Sequence, residues 1–331
     1  MRLMAPAKIN LHLRVGPPAR DGFHPLLSWM CTVSLFDTLV LSKRQNIAGS
    51  PLIQLSCDDP SLPCDASNLI VRASMVLAEE IIFQKNKERS TRKDGNMWVR
   101  ESRSSRGTEG NVAAQDLAEV RVALQKRIPM GAGLGGGSAD GATAMLGLSR
   151  LWGADLGSDR LAELSSRCGS DLPFFFHGKS SICTGRGEVV KPTPPPAPRW
   201  GVLVLPKIAM PTPAVYRKFD EMRLGDAGTL TDAPDFAAWA TLPAADLLPR
   251  LVNDLEAPAF AICPELGALR SRLESQLGRP VRMSGSGSSL FTLFDDRAAA
   301  DGAVSEILRK QRVHVVTVEI APAIHDDLGT A

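Results

Sequence analysis

Long apolar runs are absent from this sequence of 331 residues. None approaches the roughly 18 apolar residues that a membrane-spanning helix needs. A patterned segment at residues 5–8 lies too near the first residue to leave room for a signal peptide, so we expect none. The sequence therefore predicts a cytoplasmic protein that does not contact a membrane.

Cysteine pairs and a strong charge imbalance are absent as well. The six cysteines form no C-x-x-C pair and have no His at metal-ligand spacing, which favours reduced thiols over disulfides or a zinc site. The formal net charge is +2 and the pI is about 8.2, so no nucleic acid is required as a partner. Hydrophobic residues make up 44% and charged residues 22%, a composition that can fill a globular core.

The length fits one large domain or two medium ones. Five prolines in residues 192–198 form a stiff, extended spacer that cannot continue a sheet, so we predict two domains, at 1–193 and 199–325. Residues 84–110 differ in kind, with eight basic and four acidic residues and few large apolar ones. We predict a mobile surface loop there, and a basic arm that docks an anionic partner is the alternative.

Hydrophobic periodicity predicts alternating helices and strands. Apolar and polar residues alternate over 8–15, which indicates a half-buried strand with Lys8 and Asn10 on one face. A solvated polar face on an edge strand is the alternative interpretation. Helical spacing marks 68–82, 158–168 and 297–310. Further strands are predicted at residues 29–41, 120–124, 174–176, 181–190, 200–205, 290–294 and 313–320.

The central signal is the glycine loop, residues 131–137, which holds five glycines in seven residues. Such a run lets backbone N–H groups approach an anion closely and permits positive φ. Ser138 is predicted to cap a helix whose apolar positions follow at helical spacing. A loop that leads into a helix N-terminus is an anion site, because the helix dipole and free N–H groups favour phosphate.

The glycine loop alone does not show which phosphate-bearing ligand would bind. Gly131, Gly133 and Gly136 satisfy G-x-G-x-x-G, and Asp155 follows 19 residues later, as in a dinucleotide fingerprint. A single match in mid-chain is weak, and no Gly-Lys-Ser/Thr follows to make a Walker loop. A glycine-rich packing turn also stays open.

Three segments in order resemble the three motifs of the GHMP kinase superfamily: 5–10, 126–140 and 283–289. Four further segments resemble the members that phosphorylate a cytidine diphosphate-linked methylerythritol, and these lie at 21–24, 68–70, 169–173 and 211–213. The resemblance implies an α+β fold of two domains. The N-terminal one is a ribosomal protein S5 domain 2-like α/β domain, the C-terminal one is a ferredoxin-like α+β domain, and the site lies in the cleft between them.

The resemblance also implies chemistry: ATP with Mg²⁺ phosphorylates the 2-hydroxyl of the methylerythritol unit, on the non-mevalonate route to isoprenoids. No residue is assigned to the metal. By resemblance Asp171 is the general base and Lys8 its cationic partner, although an aspartate in a turn is common in any protein. The residues implied to bind ATP are Pro129, Met130, Gly131, Ala132, Gly133, Leu134, Gly135, Gly136, Gly137, Ser138 and Asn68.

The residues implied to bind the substrate are Asn10, Phe23, His24, Thr212, Tyr216, Gly285, Ser286 and Gly287. Phe23 and Tyr216 match two aromatic residues that stack on cytosine, and His24 matches the residue that reads its edge. Three alternatives stay open: a homoserine or mevalonate kinase, a dinucleotide-dependent oxidoreductase, and a binding protein without activity. A homoserine or mevalonate kinase needs no aromatic pair to stack on cytosine.

Overall fold

The computed structural model describes residues 1–44, 51–95, 116–154 and 156–330, with the backbone alone at 92–95 and 330. Two large sheets and their helices make up these residues. The strands are β1 Arg2–Val15, β2 Leu26–Lys43, β3 Ile53–Cys57, β4 Val120–Gln125, β5 Ser180–Thr184, β6 Val189–Pro192, β7 Trp200–Leu205, β8 Arg282–Met283, β9 Leu290–Phe294, β10 His314–Glu319, β11 His325–Asp326 and β12 Gly329–Thr330.

The α-helices range from four residues to 27. They are α1 Leu69–Gly95, α2 Gly136–Leu151, α3 Ser158–Ser166, α4 Thr212–Glu221, α5 Gly228–Thr231, α6 Phe236–Trp239, α7 Ala244–Leu247, α8 Glu256–Ile262, α9 Pro264–Leu277 and α10 Arg297–Lys310. Short 3₁₀ helices occupy Pro173–Phe176 and Leu248–Arg250. None of the helices in the described ranges is long and apolar enough to cross a membrane.

The first sheet is built around the long strand β2. Its order is β3-β4-β2-β5-β6, and β1 pairs with β2 on the other side. Helices α1 and α2 pack on one face of this sheet, over a core that includes Leu41, Leu77, Val122 and Leu148. The packing brings the start of α2 beside β1, so the glycine loop lies over Lys8.

The second sheet has the order β10-β7-β9-β8 and is antiparallel throughout. Taken with α4 to α10 it forms a β-α-β-β-α-β arrangement, as the ferredoxin-like expectation requires. A second apolar cluster lies between the two sheets, and in it Ile9 and Leu11 of β1 pack with Leu203 and Phe291. The division into domains at 193–199 stays a prediction; these residues form no strand.

Much of the predicted secondary structure is confirmed: β7, β9 and α10 have the expected bounds. The β1 strand is present but is not half-buried, because Lys8 and Asn10 are 4% and 3% exposed. The strand predicted at 174–176 is wrong: Pro173 starts a 3₁₀ helix there. The strand at 181–190 is a hairpin of β5 and β6.

The predicted end of the first helix also needs correction. The loop predicted at 84–110 is wrong for residues 84–95, which continue α1 as a helix, and residues 96–110 lie outside the described part of the chain. Lys, Glu, Arg and Gln are good helix formers, so a charged composition alone does not exclude a helix. Asp155 also lies outside the described residues.

Candidate active site

A cavity of about 860 Å³ lies where the three motif segments meet. Nearly all residues predicted to bind or act on substrates line it: Lys8, Asn10, Phe23, His24, Asn68, residues 129–138, Asp171, Thr212, Tyr216, Gly285 and Ser286. Gly287 does not line it. This residue lies behind the glycine loop, where its amide donates to the Ser284 carbonyl (2.9 Å).

A lysine, an amide and a carboxylate meet in the middle of the cavity. Lys8 Nζ donates to Asn10 Oδ1 (2.6 Å) and lies 3.5 Å from Asp171 Oδ2. Asn10 Nδ2 in turn donates to Ser28 Oγ (2.8 Å), which fixes the orientation of the amide. The Lys8 side chain is 5% exposed and that of Asp171 is 35% exposed. A buried cation thus faces a carboxylate that a substrate hydroxyl can reach.

Asp171 lies in the short connection that follows α3 and beside the β5–β6 turn. It follows α3 and comes just before the 3₁₀ helix Pro173–Phe176. On its other side, Gly187 in the β5–β6 turn has φ +116°, and a Cβ there would lie 3.6 Å from Asp171 Oδ1. From this connection the carboxylate faces Lys8 on β1.

The glycine loop has the backbone shape of an anion cradle. Gly131, Gly133 and Gly135 have φ of 63°, 76° and 66°, in the left-handed region that L-residues avoid. Lys8 N–H donates to the Leu134 carbonyl (2.9 Å), which holds the loop against β1. Gly135 is the N-cap of α2 without a side-chain hydrogen bond, so the first N–H groups of the helix stay free for a ligand.

The prediction that Ser138 caps this helix is wrong. Helix α2 begins at Gly136, so Ser138 lies within its first turn. Gly135 ends the loop in the left-handed conformation (ψ 19°), which starts the helix earlier than the side-chain pattern indicated. Ser138 still lines the cavity.

The segment 283–289 locks the glycine loop to β1. The buried hydroxyl of Ser284 donates to the Gly133 carbonyl (2.9 Å) and accepts from the Asn10 N–H (3.1 Å). Ser289 N–H donates to the Ala132 carbonyl (3.1 Å). A Cβ on Gly133 would lie 2.1 Å from the Ser284 carbonyl oxygen, so only glycine fits this contact. One hydroxyl thus connects all three motif segments.

Sequence reasoning missed this role of Ser284 and missed Asn253 entirely. The buried Asn253 amide donates to the carbonyls of Met283 (2.7 Å) and Gly285 (2.8 Å), which shapes the turn from outside. Thr212 and Ser286 share a hydrogen bond of 2.8 Å, which connects this turn to the start of α4. Asn253 lies far from the motifs in sequence, and no local pattern marks it.

A buried triad of Lys126, Asp37 and Asp140 supports the loop from below. Lys126 Nζ contacts Asp37 Oδ2 at 2.5 Å and Asp140 Oδ2 at 2.9 Å. Burial, partly offset by Lys126, raises the pKa of Asp140 to about 7. Although burial opposes it, the two carboxylates raise the pKa of Lys126. A Cβ on Gly136 would lie 3.3 Å from Lys126 Nζ, so the ammonium lies directly under the start of α2.

The far end of the cavity is aromatic. Phe23 is 53% exposed, and the Arg186 guanidinium lies 4.1 Å from its ring centroid. Tyr216 packs against His24, with ring centroids 5.1 Å apart, and burial raises the pKa of the Tyr216 hydroxyl to about 12. Arg186 also pairs with Asp21 at 2.6 Å. An exposed aromatic face suits a planar base, whereas the glycine end suits phosphate.

The other end of the glycine loop approaches the start of α1. Asn68 lines the cavity, but its amide is already used: Oδ1 accepts from Ile70 N–H (2.9 Å) and Nδ2 donates to the Pro63 carbonyl (2.7 Å). Contact of Asn68 with a nucleotide stays a prediction. Leu62, Pro63 and Leu69 form an apolar wall beside it, which fits the flat face of a purine.

The described residues contain no group of three or more His, Cys, Asp or Glu side chains placed to hold a metal ion. Mg²⁺ usually keeps several waters and binds through one or two carboxylates and substrate phosphates. The donor set thus does not form a metal cage of protein ligands alone, whereas the glycine cradle fits a triphosphate.

Comparison with known proteins gives concordant matches. The chain matches the family models for the GHMP kinases N terminal domain over residues 106–179 and the GHMP kinases C terminal domain over residues 230–313. A protein of Nocardioides sp. named 4-diphosphocytidyl-2-C-methyl-D-erythritol kinase is 36% identical over 288 residues, which cover 86% of this chain and 85% of the relative. A relative of the same name from Synechococcus sp. is 35% identical over 318 residues, with 92% and 90% covered.

Solved structures give the same result. A crystal structure of 4-(cytidine 5'-diphospho)-2C-methyl-D-erythritol kinase superimposes with a TM-score of 0.69 at 30% identity, covering 97% of this chain and all (100%) of that chain. A homoserine kinase from Cytophaga hutchinsonii superimposes with a TM-score of 0.60 at 14% identity, covering 98% of this chain and 95% of that chain. At this low identity, the similarity to the homoserine kinase shows a shared fold alone.

Proposed function

Because the chain belongs to the 4-diphosphocytidyl-2-C-methyl-D-erythritol kinase family of the GHMP kinases, we infer that it transfers the γ-phosphoryl group of ATP to the 2-hydroxyl of that cytidyl substrate. The products are the 2-phosphate and ADP, an early step of non-mevalonate isoprenoid synthesis. We further propose a cytoplasmic enzyme of two domains, 1–193 and 199–325.

One observation carries this proposal: the Lys8–Asp171 pair, at 3.5 Å, lies between a phosphate cradle and an aromatic end of one cavity. A kinase of this substrate class needs these three parts in this order. The cradle holds the triphosphate, the pair receives the acceptor hydroxyl, and the aromatic end receives a base that is linked to the acceptor through a diphosphate.

The chemical step follows from this arrangement. The 2-hydroxyl oxygen attacks the γ-phosphorus, the bond from that phosphorus to the bridging oxygen of ADP breaks, and Asp171 takes the hydroxyl proton. Lys8 stabilises the negative charge near the reacting oxygens, and Asn10 orients the Lys8 ammonium through its 2.6 Å hydrogen bond. Mg²⁺, when bound with ATP, would neutralise phosphate charge. The free N–H groups at the start of α2 hold the phosphates in line.

The other open alternatives fit less well. Homoserine and mevalonate lack a base, so a kinase for either has no use for the exposed ring of Phe23 at the far end of the cavity. An oxidoreductase does not need the Lys8–Asp171 pair beside the glycine loop. A binding protein without activity does not need a carboxylate 3.5 Å from a buried lysine beside the glycine loop.

The test is turnover with a panel of acceptors under ATP and Mg²⁺. We expect phosphorylation of the cytidyl substrate and, at equal concentrations, none of homoserine or mevalonate. Turnover of homoserine or mevalonate without turnover of the cytidyl substrate would reject the proposal. Tight NADH binding without ATP binding would restore the oxidoreductase.

A further inference from the structure

A chain of hydrogen bonds leads from Lys8 into the interior of the first sheet. Lys8 Nζ donates to Asn10 Oδ1 at 2.6 Å, and Asn10 Nδ2 donates to Ser28 Oγ at 2.8 Å. Ser28 Oγ in turn lies 2.9 Å from the His12 carbonyl oxygen. Ser28 is fully buried and does not line the cavity, so a bound substrate does not reach it.

The backbone fixes the direction of this chain. A carbonyl oxygen can only accept, so the Ser28 hydroxyl donates its one hydrogen to His12. Ser28 Oγ is then left as an acceptor, and the group of Asn10 that faces it must be the amide NH₂. The amide oxygen consequently faces Lys8. If the Asn10 amide turned over, its NH₂ would face the Lys8 ammonium, and two donors do not pair.

A β-bulge lies at the point where Asn10 meets Ser28. The register of β1 against β2 shifts there, because Asn10 pairs with Met30 but His12 already pairs with Trp29. Bulges bend a strand, re-aim its side chains and are common beside active sites. Ser28 lies two residues before Met30 and thus on the same face of β2. The Asn10 side chain reaches it along the diagonal between the two strands.

We propose that Ser28 is a positioning residue for phosphoryl transfer, which acts through Asn10 on the place of the Lys8 ammonium. By accepting from Asn10 Nδ2, Ser28 keeps Asn10 Oδ1 against Lys8 Nζ. The ammonium is thereby held 3.5 Å from Asp171 Oδ2. The inference rests on the proposed function, in which Lys8 and Asp171 meet at the acceptor hydroxyl. A displaced ammonium stabilises the reacting oxygens less, because such stabilisation depends on preorganised groups.

The size of the expected effect follows from the bond at risk. Without the Ser28 hydroxyl, Asn10 Nδ2 loses its acceptor and the amide is free to turn over. The bond then lost is one to a charged group, and loss of such a bond in the transition state corresponds to about 10- to 100-fold in rate. ATP affinity should change little, since the glycine loop keeps its own contacts with β1 and with Ser284.

The experiment measures single-turnover phosphorylation of the cytidyl substrate, with calorimetric ATP binding, in the wild type, Ser28→Ala and Ser181→Ala. Ser181 is the matched control: it is fully buried on β5, which pairs with β2, and its hydroxyl has no hydrogen-bond partner among the described residues. We expect Ser28→Ala to be slower by about 10- to 100-fold and Ser181→Ala to keep the wild-type rate. A wild-type rate in Ser28→Ala overturns the proposal.

A double-mutant cycle with Asn10→Ala separates positioning from a merely structural role. A residue that acts through Asn10 lowers the rate when Asn10 is present and has no further effect in Asn10→Ala. An equal loss of rate in both backgrounds overturns the proposal, and so does a loss of ATP affinity as large as the loss of rate. A wild type that phosphorylates homoserine or mevalonate but not the cytidyl substrate rejects the proposed function, while the same cycle with that acceptor still decides the role of Ser28.

Discussion

Replacing Gly133 by Ala tests whether the glycine loop depends on its contact with the segment 283–289. The added Cβ would lie 2.1 Å from the Ser284 carbonyl oxygen and 3.1 Å from Gly287 N. Both neighbours are backbone atoms, so neither can rotate away. The loop or the turn must move by a sizeable fraction of an ångström, and the free N–H groups move with it.

The matched control is Gly131→Ala in the same loop. Gly131 has φ +63° and Gly133 has φ +76°, so both variants carry the cost of a left-handed L-residue, about 1–2 kcal/mol. A Cβ on Gly131 meets nothing within 4 Å, so only Gly133→Ala has the overlap. The difference between the two variants therefore isolates the overlap.

Forced overpacking costs about 1–3 kcal/mol, so we expect Gly133→Ala to be less stable to urea than Gly131→Ala by that amount. If the strain is relieved by displacement of the loop, ATP binds more weakly than to Gly131→Ala by about 5- to 150-fold. Urea denaturation and calorimetry with ATP measure both quantities. Equal stability and equal ATP affinity of the two variants would refute the close contact.

Three further predictions concern the supports of the loop. Lys126→Met leaves the carboxylates of Asp37 and Asp140 buried without a cation, so it should lower the free energy of unfolding by about 3–5 kcal/mol. A loss below about 1 kcal/mol in urea denaturation would contradict the role of the triad. The pKa of Asp140 is raised to about 7 in the folded protein, so the folded state holds the extra proton and stability falls as pH rises from the unfolded value toward 7. Relative to Asp140→Asn, the wild type should lose stability from about pH 4 to 7 and then level off, and parallel curves for the two proteins would reject the raised pKa of the buried carboxyl. Ser284→Ala removes the hydroxyl that connects the three motif segments and should lower the free energy of unfolding by about 1–3 kcal/mol, measured by urea denaturation. In steady-state kinetics the KM for ATP should rise by a larger factor than kcat falls. A larger loss in kcat than rise in KM would contradict this role of Ser284.

Local patterns predicted the elements that depend on local chemistry. Residues 200–205 and 297–310 have the expected bounds, because an apolar run and a clear helical period decide each of them. Residues 174–176 were predicted as a strand from their three phenylalanines. Pro173 before them fits the first position of a helical turn, and that backbone preference prevails over the apolar run.

The motif residues of the site could be predicted, but their supports could not. The residues implied by resemblance, apart from Gly287, line one cavity. Lys126 and Asp37 are 89 residues apart, and only the folded sheet brings them together.

If Asp171 takes the proton of the acceptor hydroxyl beside Lys8, Asp171→Asn should slow phosphoryl transfer without weakening ATP binding. The measurement pairs single-turnover phosphorylation of the cytidyl substrate with calorimetric ATP binding on the same protein. We expect the rate to fall by about 10²- to 10⁴-fold while ATP affinity stays nearly unchanged. Turnover at the wild-type rate with intact ATP binding would contradict it.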